Sequence, residues 1–370
     1  MKIAFRVDAS IKIGTGHVMR CLTLADELQC QGHQCQFICR AHKGHLGELI
    51  IQKGFTLHLL DAPENQDQWQ EQDDSDQLEH ASWLGCTWQK DAEQTLAAFD
   101  THSPDWLVVD HYALDIRWER HIAPAVGRIM VIDDLADRVH QCAVLLDQNL
   151  GRKTSDYEAL VPADCQRLIG PEFALLRPEF AQWRETSLAR RREQPQLKRL
   201  LINLGGVDKD NVTGQVLEAL GNCELPDDIQ ITVIMGGTAP WLNDVKNKAK
   251  ALPWPTEVAV NVNDMARRMA EADLAIGAAG STSWERCCLG LPTLMIVLAE
   301  NQRGIAQALE KAYASFKLEL TDLQRSLVRH LGAIAEPDAL AVMSQSTAAL
   351  VDGAGVYIVL SNLSVTTQEI

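Results

Sequence analysis

No stretch of this chain approaches the roughly 18 consecutive apolar residues that a membrane-spanning helix needs. No signal-peptide pattern opens it either, since Met1-Lys2-Ile3-Ala4-Phe5 runs straight into a strand-like pattern. A cytoplasmic protein with no membrane partner is the expectation. Zinc-type spacing is also missing. Among the ten cysteines, Cys30, Cys35 and Cys39 follow no finger pattern, and adjacent Cys287 and Cys288 suit neither a metal nor an easy bridge. All ten read as buried free thiols. His42 and His45 stand three apart with no carboxylate pair nearby, so no metal is expected, and no motif calls for a cofactor. Positive charge is in deficit: 34 Lys and Arg against 50 Asp and Glu leave −16, which argues against nucleic acid as a partner. A nucleotide remains possible, because helix N-termini hold phosphates through backbone dipoles rather than net charge. Between Asp61 and Glu79 there are eight acidic residues and no Lys or Arg, the composition of an exposed, solvated loop.

What is present is a long series of α/β units. The 370 residues, 46% hydrophobic and 23% charged, suffice for two ordinary domains. Lys2–Asp8 reads as a buried strand, followed by Gly14-Thr15-Gly16 and a helix whose Val18, Cys21, Leu22, Ala25 and Leu28 fall at helical spacing. Further strands are expected at Gln34–Cys39, Phe55–Leu60, Trp106–Asp110, Ile129–Asp133 and Val144–Asp147, with helices at Leu46–Gln52 and Gln89–Phe99. A junction falls between Gly170 and Pro195, where Pro171 and Pro178 bracket a turn and Leu188–Gln194 is densely charged. A second series follows, with strands at Leu197–Leu204, Ile229–Met235, Glu257–Val260, Leu274–Ile276 and Thr293–Val297. Helices are expected between these strands, at Asn211–Leu220, Trp241–Ala251, Asp264–Ala272 and Ser283–Leu289. The division is residues 1–177, an N-terminal Rossmann-like domain, residues 178–352, a C-terminal one, and a tail over 353–370 to which no chemistry is assigned. The fold class is α/β, two doubly wound halves facing a cleft.

Ligands of open α/β sheets sit outside the carboxyl ends of the strands. The segment Arg6 to His17 runs from such an end into a helix, and Gly14 and Gly16 let its backbone approach a ligand closely. It is not a dinucleotide fingerprint, because Met19 stands where a third glycine is required. His17 lies in the first helical turn, where the positive dipole end disfavours imidazolium. A neutral imidazole is what a general base for water requires, though a histidine bonding a loop carbonyl looks the same in sequence. Asp8 can orient His17, contact substrate or cap the loop. Asp110-His111-Tyr112 end another strand, so Tyr112 can pack on a sugar, while Asp110 can face the same cleft or only cap a helix.

The second half reads as the nucleotide side. Leu204-Gly205-Gly206 and Met235-Gly236-Gly237 each end a strand with paired glycines, suited to phosphate or ribose or to an ordinary tight turn. Gly280-Ser281-Thr282-Ser283 opens a helix with hydroxyls and free amides for a diphosphate. Glu285, one turn in, can accept from ribose hydroxyls or complete a capping box. Asn301 and Gln302 can bind a sugar's polar groups or cap a helix.

The block Arg6-x-Asp8-Ala9-Ser10 through Gly14-x-Gly16-His17-Val18-Met19-Arg20-Cys21 resembles the UDP-sugar hydrolases of pseudaminic acid biosynthesis. Val262-Asn263-Asp264-Met265-Ala266, Gly280-Ser281-Thr282-Ser283-x-Glu285 and Gly290-Leu291-Pro292 resemble those hydrolases and the peptidoglycan N-acetylglucosaminyltransferases alike. The likeness runs over about residues 1–310. It implies a glycosyltransferase-B fold and metal-independent hydrolysis of UDP-2,4-diacetamido-2,4,6-trideoxy-β-L-altrose to UDP and free sugar, cleaved at the C1–oxygen bond. His17 then matches the catalytic histidine, with Asp8 and Asn301 as further catalytic candidates. The Val262, Asn263 and Met265 backbone lies against uracil, and Arg6, Met235 and Gly236 join the substrate-binding set. The partner is a small UDP-sugar, and a monomer that closes on substrate is expected. A UDP-sugar glycosyltransferase of the same fold is the alternative, separated from the hydrolase only by its acceptor. No basic amphipathic helix marks a lipid acceptor near the first loop. A non-catalytic UDP-sugar binding module has no need of His17.

Overall fold

The computed structural model describes residues 1–62, 78–99, 103–334 and 336–365. The chain divides into two compact units, Met1–Leu175 with Gly355–Ile370, and Leu176–Ala354.

The first unit holds a parallel sheet of β1 (Lys2–Val7), β2 (Gln34–Arg40), β3 (Thr56–Leu60), β4 (Trp106–Asp110), β5 (Arg128–Ile132), β6 (Val144–Asp147) and β7 (Gln166–Ile169). Its order is β3-β2-β1-β4-β5-β6-β7. Alternate residues feed two cores. Ile3, Phe5, Val7, Trp106, Val108, Met130 and Ile132 face one, while Ala4, Leu107, Val109, Ile129 and Val131 face the other. Both faces are buried, which is why these strands read as nearly continuous apolar runs. Helices α1 (Gly16–Cys30), α2 (Gly47–Gln52), α3 (Trp88–Ala98) and α4 (Ile116–Ile122) belong to this unit. Strand order reverses between β1 and β4, so the loops leaving these two strands diverge and open a crevice at their carboxyl ends.

The second unit begins with α5 (Pro178–Glu193), then β8 (Arg199–Asn203), α6 (Val212–Leu220), β9 (Gln230–Met235), α7 (Leu242–Ala251), β10 (Thr256–Val260) and α8 (Met265–Glu271). It continues through β11 (Leu274–Ala278), α9 (Thr282–Cys288), β12 (Thr293–Ile296), α10 (Arg303–Lys311), β13 (Ser315–Leu318), α11 (Leu323–Ile334) and α12 (Pro337–Ala348). The sheet order is β10-β9-β8-β11-β12-β13, all parallel, with the reversal between β8 and β11. The chain passes from the first unit to the second after Leu175, inside the expected junction, and most of the remainder of that stretch is α5, a continuous helix. Pro178 occupies its first turn, where a missing N–H costs nothing, and its arginines bond carbonyls within this unit: Arg184 to Ala348, Arg190 to Ala272 and Arg191 to Met269. Within the charge run, Arg190 and Arg191 are thus bound inside the unit rather than solvated.

The stretch read as a tail carries α13 (Gly355–Val365), which returns to the first unit. Val356, Val359, Leu360 and Leu363 are at most 2% exposed and join its core beside α1. Of the acidic stretch, residues 63–77 lie outside the described residues. The ten cysteines are free, but Cys30 is exposed and Cys35 half-buried, so burial holds for eight.

Candidate active site

The site of the first unit is built where β1 and β4 end. Ser10 and Gly14 exchange backbone hydrogen bonds, and Ser10 Oγ accepts from the N–H groups of Lys12 and Ile13. Gly14 makes this compact loop possible at φ 85°, a conformation an L side chain resists. The chain then enters α1 at Gly16. Thr15, at the cap position, makes no side-chain cap bond, so no capping side chain occupies the first N–H groups of the helix.

His17 Nδ1 lies 2.6 Å from Asp110 Oδ1. Asp110 is buried at the end of β4 and also accepts from Arg20 Nε and Nη2 at 2.6 and 2.7 Å. Burial opposes its ionisation, but Arg20 and His17 outweigh this and hold its carboxyl well below the usual range. An ionised Asp110 can only accept, so the proton of a neutral His17 sits on Nδ1 and the lone pair on Nε2. Arg20 reaches onward to Asp134 Oδ2 at 2.8 Å, which accepts from the Tyr112 hydroxyl at 2.6 Å. Tyr112 stands edge-on to His17, ring centroids 4.6 Å apart.

Asp8 is elsewhere. Its carboxylate accepts both Arg6 Nη atoms at 2.7 and 3.0 Å and the Arg40 N–H at 2.7 Å, with His111 Nε2 at 3.1 Å. Arg6 in turn donates to Asp91. Burial penalises the Asp8 carboxylate, yet Arg6 and the two histidines His111 and His42 hold it well below its ordinary value. Both Asp8 and Arg6 have fully buried side chains. Asp8 therefore does not orient His17, and neither residue is open to substrate. They are a core ion cluster under the loop.

In the second unit, Gly205 and Gly206 are exposed after β8, and Gly236 N donates to Gly206 O. A Cβ on residue 236 would run into that carbonyl, so this close approach requires glycine. Met235 is 2% exposed and packs in the core, which corrects its place in the substrate set. Gly280 and Ser281 form the turn after β11, and Thr282 opens α9. Ser283 is 1% exposed, with Arg286 donating to its hydroxyl, and so is packed inside rather than presented. Glu285 has Arg177 at 3.7 Å, and burial pushes its carboxyl up to about 7. Gln302 Oε1 accepts from the Leu298 N–H, and its Nε2 reaches toward Gly280. Asn301 and Asn263 are exposed, while Val262 and Met265 are half-buried.

Residues 201–354 match the model of the glycosyltransferase family 28 C-terminal domain. Over 98% of this chain and 99% of the other, the structure superposes on MurG of Acinetobacter baumannii with a TM-score of 0.68 at 14% identity. The fold is of the glycosyltransferase-B type. That glycosyltransferase-B likeness speaks to the fold alone. By sequence, 84% of the chain is 26% identical to the UDP-2,4-diacetamido-2,4,6-trideoxy-beta-L-altropyranose hydrolase of Campylobacter jejuni, covering 97% of that protein. An uncharacterized protein of Methanocaldococcus jannaschii is also 26% identical, over 82% of this chain and only 57% of its own length. Among the described residues no helix is long and apolar enough to cross a membrane.

Sequence reasoning missed Arg20 and Asp134. Arg20 carried a signal, since i and i+3 on a helix share a face and place it beside His17. Asp134 follows the end of β5 as Asp110 closes β4, so the strand-end rule reaches both.

Proposed function

We propose that this protein hydrolyses a UDP-linked 2,4-diacetamido-2,4,6-trideoxy sugar to UDP and the free sugar, with His17 as general base. The observation that carries the reading is the Asp110–His17 pair at the switch point of the first unit. A base whose outer nitrogen holds the lone pair takes a proton from water as the water oxygen bonds to the sugar C1. The C1–oxygen bond breaks, and its electron pair leaves on the β-phosphate of UDP. Asp110 stabilises the imidazolium that forms, as a carboxylate does for histidine in acyl transfer. UDP is a stable leaving group, so no general acid is needed.

The glycine turns after β8 and β9, the Gly280–Thr282 turn and Glu285 are suited to uridine diphosphate, and the likeness to the Campylobacter jejuni hydrolase supports the sugar class. The family 28 domain and the likeness to MurG are equally compatible with transfer to an acceptor hydroxyl. The test is UDP release followed by nuclear magnetic resonance, with EDTA present and no acceptor. Release by wild type, with His17→Ala folded, binding UDP and at least roughly 100-fold slower, supports the reading. No release by a protein that binds UDP tightly overturns it in favour of a transferase.

A further inference from the structure

Four rings converge on one corner of the first unit, and only His17 and Tyr112 belong to the site described so far. The others, His80 and Trp83, come from a short helical turn at Ala81–Trp83 between β3 and α3. Trp83 stacks on Tyr112 with centroids 5.6 Å apart and planes at 25°. His80 stands perpendicular to both, 4.5 Å from Trp83 and 5.4 Å from Tyr112. Trp83 meets His17 edge-on at 6.4 Å. Lys12, in the loop that leads to His17, donates to Ser82 Oγ at 2.8 Å, so the turn is fastened to the His17 loop. Core packing accounts for only part of the turn, since Trp83 lies against the edge of the core. Leu84 and Cys86 take the core positions just beyond it, while His80 and Trp83 remain half-buried. The buried His80 Nδ1 has no hydrogen-bond partner among the described residues.

We propose that Trp83 and His80, backed by Tyr112, which is itself only 4% exposed, form an aromatic subsite beside His17 that holds the apolar groups of the reacting sugar. The inference rests on the hydrolase reading for the identity of that sugar, and the subsite itself rests on ring geometry. A 2,4-diacetamido-2,4,6-trideoxy hexose has a C6 methyl in place of a hydroxymethyl and two acetamido groups in place of hydroxyls. The amides still need hydrogen-bond partners, but the three methyls want a wall of rings. A half-exposed tryptophan next to a general base supplies apolar area at little entropic cost, because it has only two side-chain torsions to fix. His80, desolvated and so favoured neutral, contributes a ring face without a charge that would need solvation. A nucleotide sugar with a 6-hydroxyl would have to desolvate that hydroxyl against Trp83. Selectivity then lies with the sugar, not with UDP.

Two measurements test this. The first is the Trp83 indole N–H resonance in ¹⁵N-labelled His17→Ala protein, assigned by its loss in Trp83→Phe. It is expected to shift on adding UDP-2,4-diacetamido-2,4,6-trideoxy-β-L-altrose and to stay in place with UDP alone. The second compares kinetics and UDP binding in Trp83→Ala and Trp83→Phe. Trp83→Ala is expected to raise KM roughly 10-fold or more while UDP affinity stays within about twofold, and Trp83→Phe, which keeps a ring, to recover most of the loss. An indole signal that ignores the sugar, or a Trp83→Ala protein that loses UDP as badly as the sugar nucleotide, overturns the subsite. The resonance experiment needs no turnover. If wild type binds the sugar nucleotide and fails to hydrolyse it, the hydrolase reading falls while the subsite is still decided.

Discussion

Asp110 and His17 are 93 positions apart in sequence and 2.6 Å apart in space, joined because β4 lies beside β1 in the sheet. The pairing sets which imidazole nitrogen holds the proton. Asp110→Asn keeps the shape but can donate to Nδ1, which favours the wrong tautomer and removes the charge opposite the imidazolium. Its kcat is expected to fall roughly 10²- to 10⁴-fold with KM little changed. Steady-state UDP release with circular dichroism as a folding control checks this. A kcat within about threefold of wild type would remove Asp110 from the site.

The Asp8 cluster predicts a different phenotype. Replacing one partner of a buried ion pair strands the other, at a cost of about 3–5 kcal/mol. Asp8→Asn is expected to lose stability on that scale, while its folded fraction keeps kcat within about threefold. Urea unfolding and active-site-normalised rates separate the two effects. A stable Asp8→Asn protein with kcat lowered 100-fold would restore Asp8 as a catalytic residue.

Acid sensitivity follows from the same residues. Asp8, Asp91 and Asp110 are held below their ordinary range, and Asp133 lies at about 2, against burial but with Arg138 and His140 favouring its ionised form. Their folded pKa values lie below the unfolded ones. The stability they contribute is complete above the unfolded range near 4 and drains as pH falls through the folded values. Near-ultraviolet dichroism is expected to report loss of packing between about pH 4 and pH 2. Unchanged packing at pH 2 would contradict it.

Glu285 works in the opposite sense. Burial raises its carboxyl from 4.5 to about 7. Its folded pKa is above the unfolded one, so its contribution is complete below 4.5 and is lost as pH rises through 7. The ionised form is a strain on the free protein. Glu285→Gln is therefore expected to be more stable than wild type at pH 8, by about 1–3 kcal/mol, and no more stable at pH 4.5. If Glu285 is the ribose acceptor, as proposed, its replacement is expected to lower UDP affinity roughly 10-fold. Thermal melts at both pH values with calorimetric UDP titration decide it, and equal melts at pH 8 count against the assignment.

Ending the chain after Ala354 removes α13. Val356, Val359, Leu360 and Leu363 are buried against the first unit, and each contributes about 1.5–3 kcal/mol on burial. The sum is comparable to the net stability of a whole domain, about 5–15 kcal/mol. The truncated chain is expected to lose cooperative melting of that unit. Calorimetry showing two intact transitions would make the segment dispensable.

Much of the fold was legible in local sequence pattern. The strands Trp106–Asp110 and Val144–Asp147 coincide with their expected bounds, because a strand buried on both faces is an unbroken apolar run ended by polar residues. The loop before His17 was legible too, since Gly14 and Gly16 follow a strand and precede an amphipathic helix. Short elements escaped. In β7 only Leu168 is buried, and α5 shows a run of charges whose partners are carbonyls elsewhere in the unit. The site residues divide along the same line. That His17 opens a helix is a property of about fifteen consecutive residues. That Asp110 rather than Asp8 faces it, or that Trp83 stacks on Tyr112, depends on strand order and on the direction each side chain takes at the end of its strand or turn. Local pattern encodes periodicity and burial, which act between near neighbours. Partner choice among buried charges is decided by the sheet, because only its strand order sets which chain-distant groups leave water together.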